Sequence, residues 1–239
     1  MATTPAACEI DRLPEEILLA VISGTSPCDL SPLEFRPSPP PSGNKALFMR
    51  LSASPVFLDG GNMRMWLDRE SGVKCYMLPA RALHILGGEK LQYWRKIGCR
   101  FKQFTVLQNM CLLEICGKIQ SKMLSQNSTY TAYMVFRIDT ESRGLRYPTQ
   151  EASVSIGEMK STRQVCVGGL QKSHWHTVPA NVHRPKRRAD NWLELKMGRF
   201  YNEDGDDDEV SFSLTETGGA IAKMVLFCKA LKLEQKNLL

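Results

Sequence analysis

Several residues with metal-binding side chains lie between positions 166 and 183. Alternate residues of a β-strand share one face, so His174 and His176 could join Cys166 or His183 in a metal site. Structural zinc sites usually show closely spaced pairs of cysteine or histidine, and none of the eight cysteines forms a C-x-x-C pair. We therefore predict that the chain has no metal site.

Other motifs with a defined chemistry fail on their spacing. If Gly205 were the invariant glycine of an EF-hand loop, Phe200 and Ser211 would hold positions one and twelve, where calcium needs carboxylates. Segment 168–173 lacks the glycine directly before the lysine of a phosphate loop, and no G-x-S-x-G motif occurs. We predict an acidic hairpin loop at residues 203–209, no cofactor, and a protein that is not an enzyme.

The net charge of +6 is concentrated in short runs. Residues 184–188 are basic and residues 203–209 are acidic. Because both signs occur in local runs, the surplus does not indicate a nucleic-acid groove, and we predict no nucleic-acid partner. The basic run is interpreted either as a nuclear-import signal or as a solvated loop before a strand.

The sequence contains no segment typical of a membrane or secreted protein. The apolar stretch 17–22 is far too short to cross a bilayer, and the acidic pair Glu15 and Glu16 precedes it in place of the basic residues of a secretory signal. The eight cysteines are scattered along the chain, which favours free and mostly buried thiols. We predict a cytoplasmic or nuclear protein without a membrane partner.

The elements that must position any binding residue are mainly strands. Beyond residue 45, apolar and polar residues alternate with period two, which predicts one antiparallel β-sandwich, jelly-roll-like, up to about residue 236. Segment 68–72 predicts a hairpin loop, and segment 79–85 predicts one helical interruption. The alternation recurs at residues 111–119, 152–156, 193–197, 210–214 and 225–233. In the clearest run five residues are predicted to face the same way: Tyr130, Ala132, Met134, Phe136 and Ile138.

A short helix and a linker precede the strands. Leu13, Ile17 and Val21 fall at i, i+4 and i+8, Pro14 suits a first helical turn, and Gly24 suits a helix end. Five prolines then occur among the thirteen residues 31–43. This composition predicts an extended linker at residues 31–44.

Six ordered blocks of the sequence resemble the signature of the plant phloem protein 2 lectins. The blocks are residues 75–78, 80–81, 93–95, 117–119, 123–125 and 129–133. Residues 13–17 and 25–30 are similar to the first half of an F-box, and one plant family fuses an F-box to a phloem protein 2 domain. The resemblance implies a partial F-box at residues 1–30, the linker at 31–44 and a phloem protein 2-like lectin domain at 45–239.

The F-box resemblance implies contacts with the Skp-type adaptor of a ubiquitin ligase, through a helix that docks in an apolar groove. The residues assigned to this contact are Leu13, Pro14, Ile17 and Ile22. The second half of the module does not follow, because the chain enters the proline-rich linker after Leu30. A single helix of about ten residues is marginal in water, so we predict weak or absent adaptor binding. Alternatively, this helix packs loosely on the sandwich or frays.

The lectin resemblance implies a sugar site. In that family two tryptophans seven residues apart bind N-acetylglucosamine oligomers; here the second is Trp94, preceded by Tyr93, and the first position holds Gly87. A pyranose can stack its apolar face on an aromatic ring, so the loss of one ring predicts weaker sugar binding that depends on Trp94. Alternatively, Tyr93 and Trp94 pack in the core. Trp192, in a segment similar to a strand of the family, is predicted to be structural.

The resemblance implies two alternative functions. The first is a substrate-recognition adaptor of a Skp-cullin-F-box ubiquitin ligase that recognises N-acetylglucosamine-type glycans or glycoproteins. The second is a stand-alone cytoplasmic carbohydrate-binding module without ubiquitin-ligase activity. Co-purification with a Skp-type adaptor distinguishes these two. A sandwich-fold hydrolase would need a pair of catalytic carboxylates, for which the sequence has no recognisable arrangement.

Overall fold

The structure is a computed structural model. It describes residues 44–58, 63–86, 94–97, 104–108, 113–139, 142, 145, 149–169, 179–203, 208–216 and 225–235. The chain divides into two compact units, Met1–Tyr76 and Met77–Leu239.

The described residues form one α-helix and fourteen strands. The elements in chain order are α1 (Asn44–Ala53), β1 (Val56–Leu58), β2 (Met63–Leu67), β3 (Lys74–Pro79), β4 (His84–Ile85), β5 (Trp94–Ile97), β6 (Phe104–Gln108), β7 (Glu114–Gln120), β8 (Ser128–Ile138), β9 (Gln150–Ile156), β10 (Met159–Val165), β11 (Lys186–Arg187), β12 (Leu193–Asn202), β13 (Glu209–Thr215) and β14 (Val225–Gln235). This content confirms the prediction of a mostly β protein.

The first unit contains a helix that the alternation from residue 45 did not predict. Helix α1 is composed largely of strong helix formers such as Ala, Leu, Met, Arg and Lys, and its Leu51 is buried. Pro55 disfavours a helical conformation at Ser54, which closes the last turn by donating its N–H to the carbonyl of Arg50 at 3.0 Å. Strands β1 and β2 then pair antiparallel, with Val56 opposite Met65.

The predicted hairpin loop at 68–72 is confirmed between β2 and β3. The N–H of Asp68 donates to Val73 O at 2.8 Å, and that of Gly72, at φ 74°, donates to Asp68 O at 2.9 Å. The Asp68 carboxylate accepts the N–H and hydroxyl of Ser71 at 2.9 and 2.7 Å. Partial burial alone would raise the pKa of Asp68, but the hydrogen bonds from Ser71 and Glu70 lower it below its ordinary value.

The prediction of a helical segment at residues 79–85 is wrong about its length. Only a single 3-10 turn forms, at Ala80–Ala82, and Leu83 has already returned to extended backbone at φ −91° and ψ 141°. Strand β4 follows and pairs with β7, with Ile85 opposite Ile115. A short apolar run suits a helix or a strand equally, and here the available partner strand decides.

The second unit contains two antiparallel sheets. In the first sheet, β14, β8, β12 and β11 are neighbours in that order, and β6 followed by β5 extends it beside residues 225–228 of β14. The order in the second sheet is β10-β9-β13-β7-β4. Two antiparallel sheets with buried inner faces confirm the predicted sandwich-like fold.

Aromatic rings connect the two sheets through the core. Phe200 of β12 stacks on Tyr130 of β8, with ring centroids 5.6 Å apart. Phe200 also lies 6.0 Å from the ring of Phe212, which belongs to the second sheet. The five alternating residues predicted on β8 share one face of a regular strand; the first four are buried and Ile138 is half-buried.

At two glycines an added side chain would force neighbouring atoms to move. A Cβ on Gly198 of β12 would lie 2.6 Å from Cγ2 of Val154 on β9. A Cβ on Gly117 of β7 would lie 2.8 Å from a methyl carbon of Leu83 and 3.2 Å from one of Leu231. Val154 would have to shift to admit a side chain at Gly198, so this glycine allows the two layers to pack closely there.

Two irregularities change the alternation that the sequence suggests. The register shifts between Lys196 and Gly198 in β12 and between Cys228 and Ala230 in β14. On β14 the shift places Leu226 and Cys228 in the core before it and Leu231 and Leu233 after it. Each bulge inserts one residue, which an uninterrupted period of two cannot represent.

The acidic run 203–209 is not a hairpin loop, contrary to the prediction. It leaves β12 in the first sheet and enters β13 in the second, so it connects the two layers. The backbone carbonyl of Asp208 accepts the N–H of Ser121 at 2.8 Å, and that of Glu203 accepts the N–H of Asn127 at 3.0 Å. Alternation identifies strands but does not show which sheet each one joins.

Candidate functional site

The predicted sugar residues are described only in part. Trp94 is the first residue of β5, where its backbone pairs with Leu107 of β6. Leu107 in turn pairs with Leu226 of β14, so Trp94, Leu107 and Leu226 lie side by side on three neighbouring strands of the first sheet. Gly87 and Tyr93 lie outside the described residues. The sugar-binding role of these three residues stays a prediction.

The predicted adaptor-binding residues also lie outside the described part of the chain. They are Leu13, Pro14, Ile17 and Ile22.

Of the basic run 184–188, Lys186 and Arg187 form the exposed strand β11, and Arg188 forms ion pairs. In the described residues no helix is both long and apolar enough to cross a membrane.

An aromatic and charged cluster lies on the face of the first sheet that points away from the second sheet. We call it the Trp192 cluster: Trp192, Arg137, Lys229, Asp190 and Arg188. The guanidinium carbon of Arg137 lies 5.0 Å from the Trp192 ring centroid, and Nζ of Lys229 lies 4.9 Å from it. Cation–π contacts of this kind contribute about 0.5–2 kcal/mol each, depending on exposure.

A tight turn between β11 and β12 positions the tryptophan. Asn191 adopts the left-handed conformation at φ 61°, and Arg188 N–H donates to Trp192 O at 2.8 Å. The Asp190 carboxylate accepts the N–H of Trp192 and the Nε–H of Arg188, both at 3.2 Å, and pairs with Nζ of Lys229 at 3.3 Å. Slight burial would raise the pKa of Asp190, but these donors and charges lower it below its ordinary value.

A line of half-buried charges continues from the Trp192 cluster. The carboxylate of Glu194 accepts Nη1–H of Arg188 at 3.0 Å and lies 3.6 Å from Nζ of Lys232. Lys232 also contacts the carboxylate of Glu234. The Lys232 and Glu194 side chains are only 14% and 18% exposed, so solvent screens these pairs less than it screens surface pairs.

The charged groups and the aromatic ring of the Trp192 cluster interact with one another. Two cations approach the tryptophan ring, and the carboxylate beside it is hydrogen-bonded and paired. Such an arrangement holds β11 and the turn against β8 and β14, and a stacked pyranose would have to displace a cation. This geometry supports the structural role predicted for Trp192.

The described cysteines, histidines and acids form no metal centre. Cys75, Cys116, Cys166 and Cys228 are free thiols, three of them buried, as predicted. Burial raises the pKa of Cys228 to about 12, so this thiol is protonated at neutral pH and unreactive. Among the described residues, no three His, Cys, Asp or Glu side chains could hold a metal ion together. His174 and His176 lie outside the described residues.

Residues 73–234 match the family model described as phloem protein 2. The chain belongs to the phloem protein 2 family. The F-box protein PP2-B10 of Arabidopsis thaliana is 29% identical over 263 aligned positions, which cover 96% of this chain and 95% of that protein. The F-box protein PP2-B15 of the same plant is 31% identical and covers 74% of this chain and 70% of its own length. These relatives confirm the resemblance to plant F-box proteins with a phloem protein 2-like domain.

Two solved structures align with this chain at low TM-scores. The carbohydrate-binding module TmCBM61 in complex with β-1,4-galactotriose aligns with a TM-score of 0.29 and 8% identity, covering 68% of this chain and 88% of that one. The CBM22-1–GH10 modules of a Clostridium thermocellum xylanase with xylohexaose align with a TM-score of 0.32 and 8% identity, covering 67% and 26%.

Proposed function

We propose that this phloem protein 2 protein is a lectin-like F-box protein that recognises N-acetylglucosamine-type glycans or glycoproteins and presents them to a Skp-cullin-F-box ubiquitin ligase. The observation that carries the proposal is the family match over residues 73–234, which includes Trp94. The buried free thiols fit a reducing compartment, so the proposal places the protein in the cytoplasm or nucleus.

The ligase connection requires a contact between the N-terminal segment and a Skp-type adaptor. It is supported by relatives that are named F-box proteins. The alignment with PP2-B10 runs over 263 positions although this chain has 239 residues, so the relative carries residues without a counterpart here. This difference and the proline-rich segment after Leu30 favour, as the second candidate, a stand-alone carbohydrate-binding module without ligase activity.

The sugar site is tested by calorimetric titration of a chitin trisaccharide. Trp94→Ala should abolish binding and leave the thermal unfolding temperature unchanged if the ring contacts sugar. Gly87→Trp should raise affinity about tenfold, because one stacked ring contributes about 1–3 kcal/mol in comparable aromatic contacts. A folded Trp94→Ala protein that binds as tightly as the parent would remove Trp94 from the site. Loss of the folded state instead would place Trp94 in the core.

The adaptor contact is tested by titrating the full chain into a Skp-type adaptor. We expect weak or absent binding, because one helix supplies only half of the apolar surface. Ile17→Asp should abolish whatever binding remains, whereas Glu15→Gln, a substitution beside the assigned residues, should not. Weak binding that Ile17→Asp abolishes would support the ligase adaptor, and absent binding would favour the stand-alone module. Sub-micromolar affinity for the wild-type chain would contradict the expected weakness of the contact.

A further inference from the structure

The outer face of the second sheet carries hydroxyl groups at its centre. Alternate residues of β9 and β13, such as Val154 and Phe212, are buried in the core, so the residues between them point away from the first sheet. Five of these outward residues have hydroxyl side chains, and we call them the hydroxyl patch: Ser153 and Ser155 of β9, with Ser211, Ser213 and Thr215 of β13. The antiparallel register places Ser155 opposite Ser211 and Ser153 opposite Ser213, with Cβ atoms about 5 Å apart.

Hydroxyls of the patch are available to a ligand. The Oγ atoms of Ser153 and Ser213 lie 2.9 Å apart, and because one of them donates to the other, the pair keeps one O–H donor. The hydroxyls of Ser155 and Thr215 form no hydrogen bond within the part of the chain that the structure describes. Both side chains are half-buried, so a molecule on the surface can reach them.

Longer side chains border the patch on both sides. Strand β7 places Glu114 and Lys118 beside β13, and strand β10 places Lys160 and Gln164 beside β9. Ser153 is only 7% exposed although it lies on the outer face. The patch therefore lies lower than its border. From β7 to β10 it spans three strand spacings, about 14 Å.

The serines give up stability that this part of the sheet could have. Strands β9 and β13 are interior strands of the second sheet, where aromatic or β-branched residues in opposite positions stabilise the pairing. Two successive Ser–Ser pairs bury less surface than such residues would. The outer face of the first sheet, by contrast, carries the large buried side chains of Tyr133 and Val135. A sequence that gives up stability at one place indicates a function there.

The chemistry of the patch and its border selects the class of ligand. Lys118 pairs with Glu209 at 2.7 Å, and the acidic Glu114 and Glu151 are partly balanced by Lys160. The nearly balanced charges favour neither an anion nor a cation. The patch contains no aromatic ring or large aliphatic side chain, so it offers no partner for an apolar ligand or for the methyl group of an acetamido sugar. A neutral molecule rich in hydroxyls fits best.

We propose that the hydroxyl patch binds a neutral hexose oligosaccharide, at a site separate from Trp94. Each protein hydroxyl can donate one hydrogen bond and accept others, as the sugar hydroxyls do. Short serine side chains also lose less rotamer freedom on binding than long charged ones. The inference goes beyond the proposed recognition of N-acetylglucosamine, because it assigns a second surface and a sugar class without the acetamido group.

The test is a titration of the full chain followed by ¹H–¹⁵N nuclear magnetic resonance. Cellotriose and chitotriose are the two probes, since both are β-1,4-linked and only chitotriose carries acetamido groups. Cellotriose should shift the amide signals of residues 153–155 and 211–215, and chitotriose should bind there about tenfold more weakly or not at all. Because the ligand is neutral, raising the salt concentration from roughly 0.05 to 0.5 M should leave the cellotriose affinity unchanged. Absence of these shifts, or equal affinity for both sugars at the patch, would overturn the proposal.

Variants identify the hydroxyls that bind. Thr215→Val keeps the shape of the side chain, and Ser155→Ala removes a hydroxyl that has no partner within the described structure. Each should lower the cellotriose affinity about two- to tenfold, as expected for one lost hydrogen bond. Thr129→Val makes the same change at a half-buried position on the outer face of the first sheet and should have no effect. An equal loss in Thr129→Val would contradict the assignment to the patch.

Stability measurements separate binding from a structural role. Valine suits a strand, so the unfolding temperature of Thr215→Val should equal or exceed that of the parent while its affinity falls. A lower unfolding temperature together with unchanged affinity would show that the hydroxyl serves the fold instead.

A dilution series without sugar tests the other occupant of such a face. Patch signals should not move as the protein concentration rises. Signals that do move, together with slower diffusion, would assign the patch to a second copy of the chain and overturn the proposal. Failure of chitotriose to bind near Trp94 contradicts only the proposed N-acetylglucosamine specificity, whereas failure of cellotriose at the patch contradicts only this inference.

Discussion

The two faces of the first sheet in the second unit are stabilised by different interactions. On the inner face Phe200 packs against Tyr130 and Phe212, and burial of apolar surface contributes about 25 cal/mol per Å². On the outer face the Trp192 cluster consists of separate ion pairs of about 1 kcal/mol or less each and cation–π contacts of about 0.5–2 kcal/mol each. The Trp192 cluster therefore contributes less to stability than the aromatic packing of the inner face, while elsewhere the outer face also buries Tyr133 and Val135.

Neighbouring residues on β12 give the strongest test of this contrast. Phe200→Ala should lower the free energy of unfolding by about 3–5 kcal/mol, because it leaves a cavity between the sheets. Tyr201→Ala, one residue along on the opposite face, should cost only about 0.5 kcal/mol. Urea unfolding followed by circular dichroism measures both. Similar losses for the two variants would contradict the division of roles between the faces.

A substitution at Gly198 on the inner face should have an intermediate effect on stability. Gly198→Ala should lower the free energy of unfolding by about 1–3 kcal/mol, because the new Cβ overlaps Val154. Val154→Ala alone should also destabilise by leaving a cavity, but it should partly rescue Gly198→Ala. A double-mutant cycle from urea unfolding measures this coupling. Strictly additive losses would mean that the two residues do not limit the sheet spacing.

The smallest effect is expected at Asp190 in the Trp192 cluster. Asp190→Asn should cost about 1 kcal/mol or less at neutral pH, because the exposed carboxylate is screened by solvent. The folded-state pKa of Asp190 is lowered, so the wild-type contribution is complete above its unfolded value of about 4 and disappears as the pH falls through the lowered pKa.

The difference in unfolding free energy between wild type and Asp190→Asn should therefore shrink below about pH 4. Glu203→Gln is the control, since Glu203 has no ion pair among the described residues, and it should change little at any pH. A difference that persists unchanged into strong acid would show that the asparagine acts through its shape and not through its charge.

Local patterns predicted most of the strands because each pattern depends on a single element. The alternation from Tyr130 to Ile138 identified β8 and its buried face, and Asp68 with Gly72 identified a hairpin loop. Helix α1 was missed because its apolar residues were interpreted as the start of the alternating region. The Trp192 segment was recognised, but its cation partners were not, because Arg137 and Lys229 come from β8 and β14.

The sequence by itself determined the strand periodicity, the free thiols and the membership of the phloem protein 2 family, since each follows from residue types in local order. Only the tertiary structure decided that residues 203–209 connect the two sheets and that β12 and β14 contain bulges. These features depend on which strands become neighbours. That choice is made by packing between distant segments, and no local period records it.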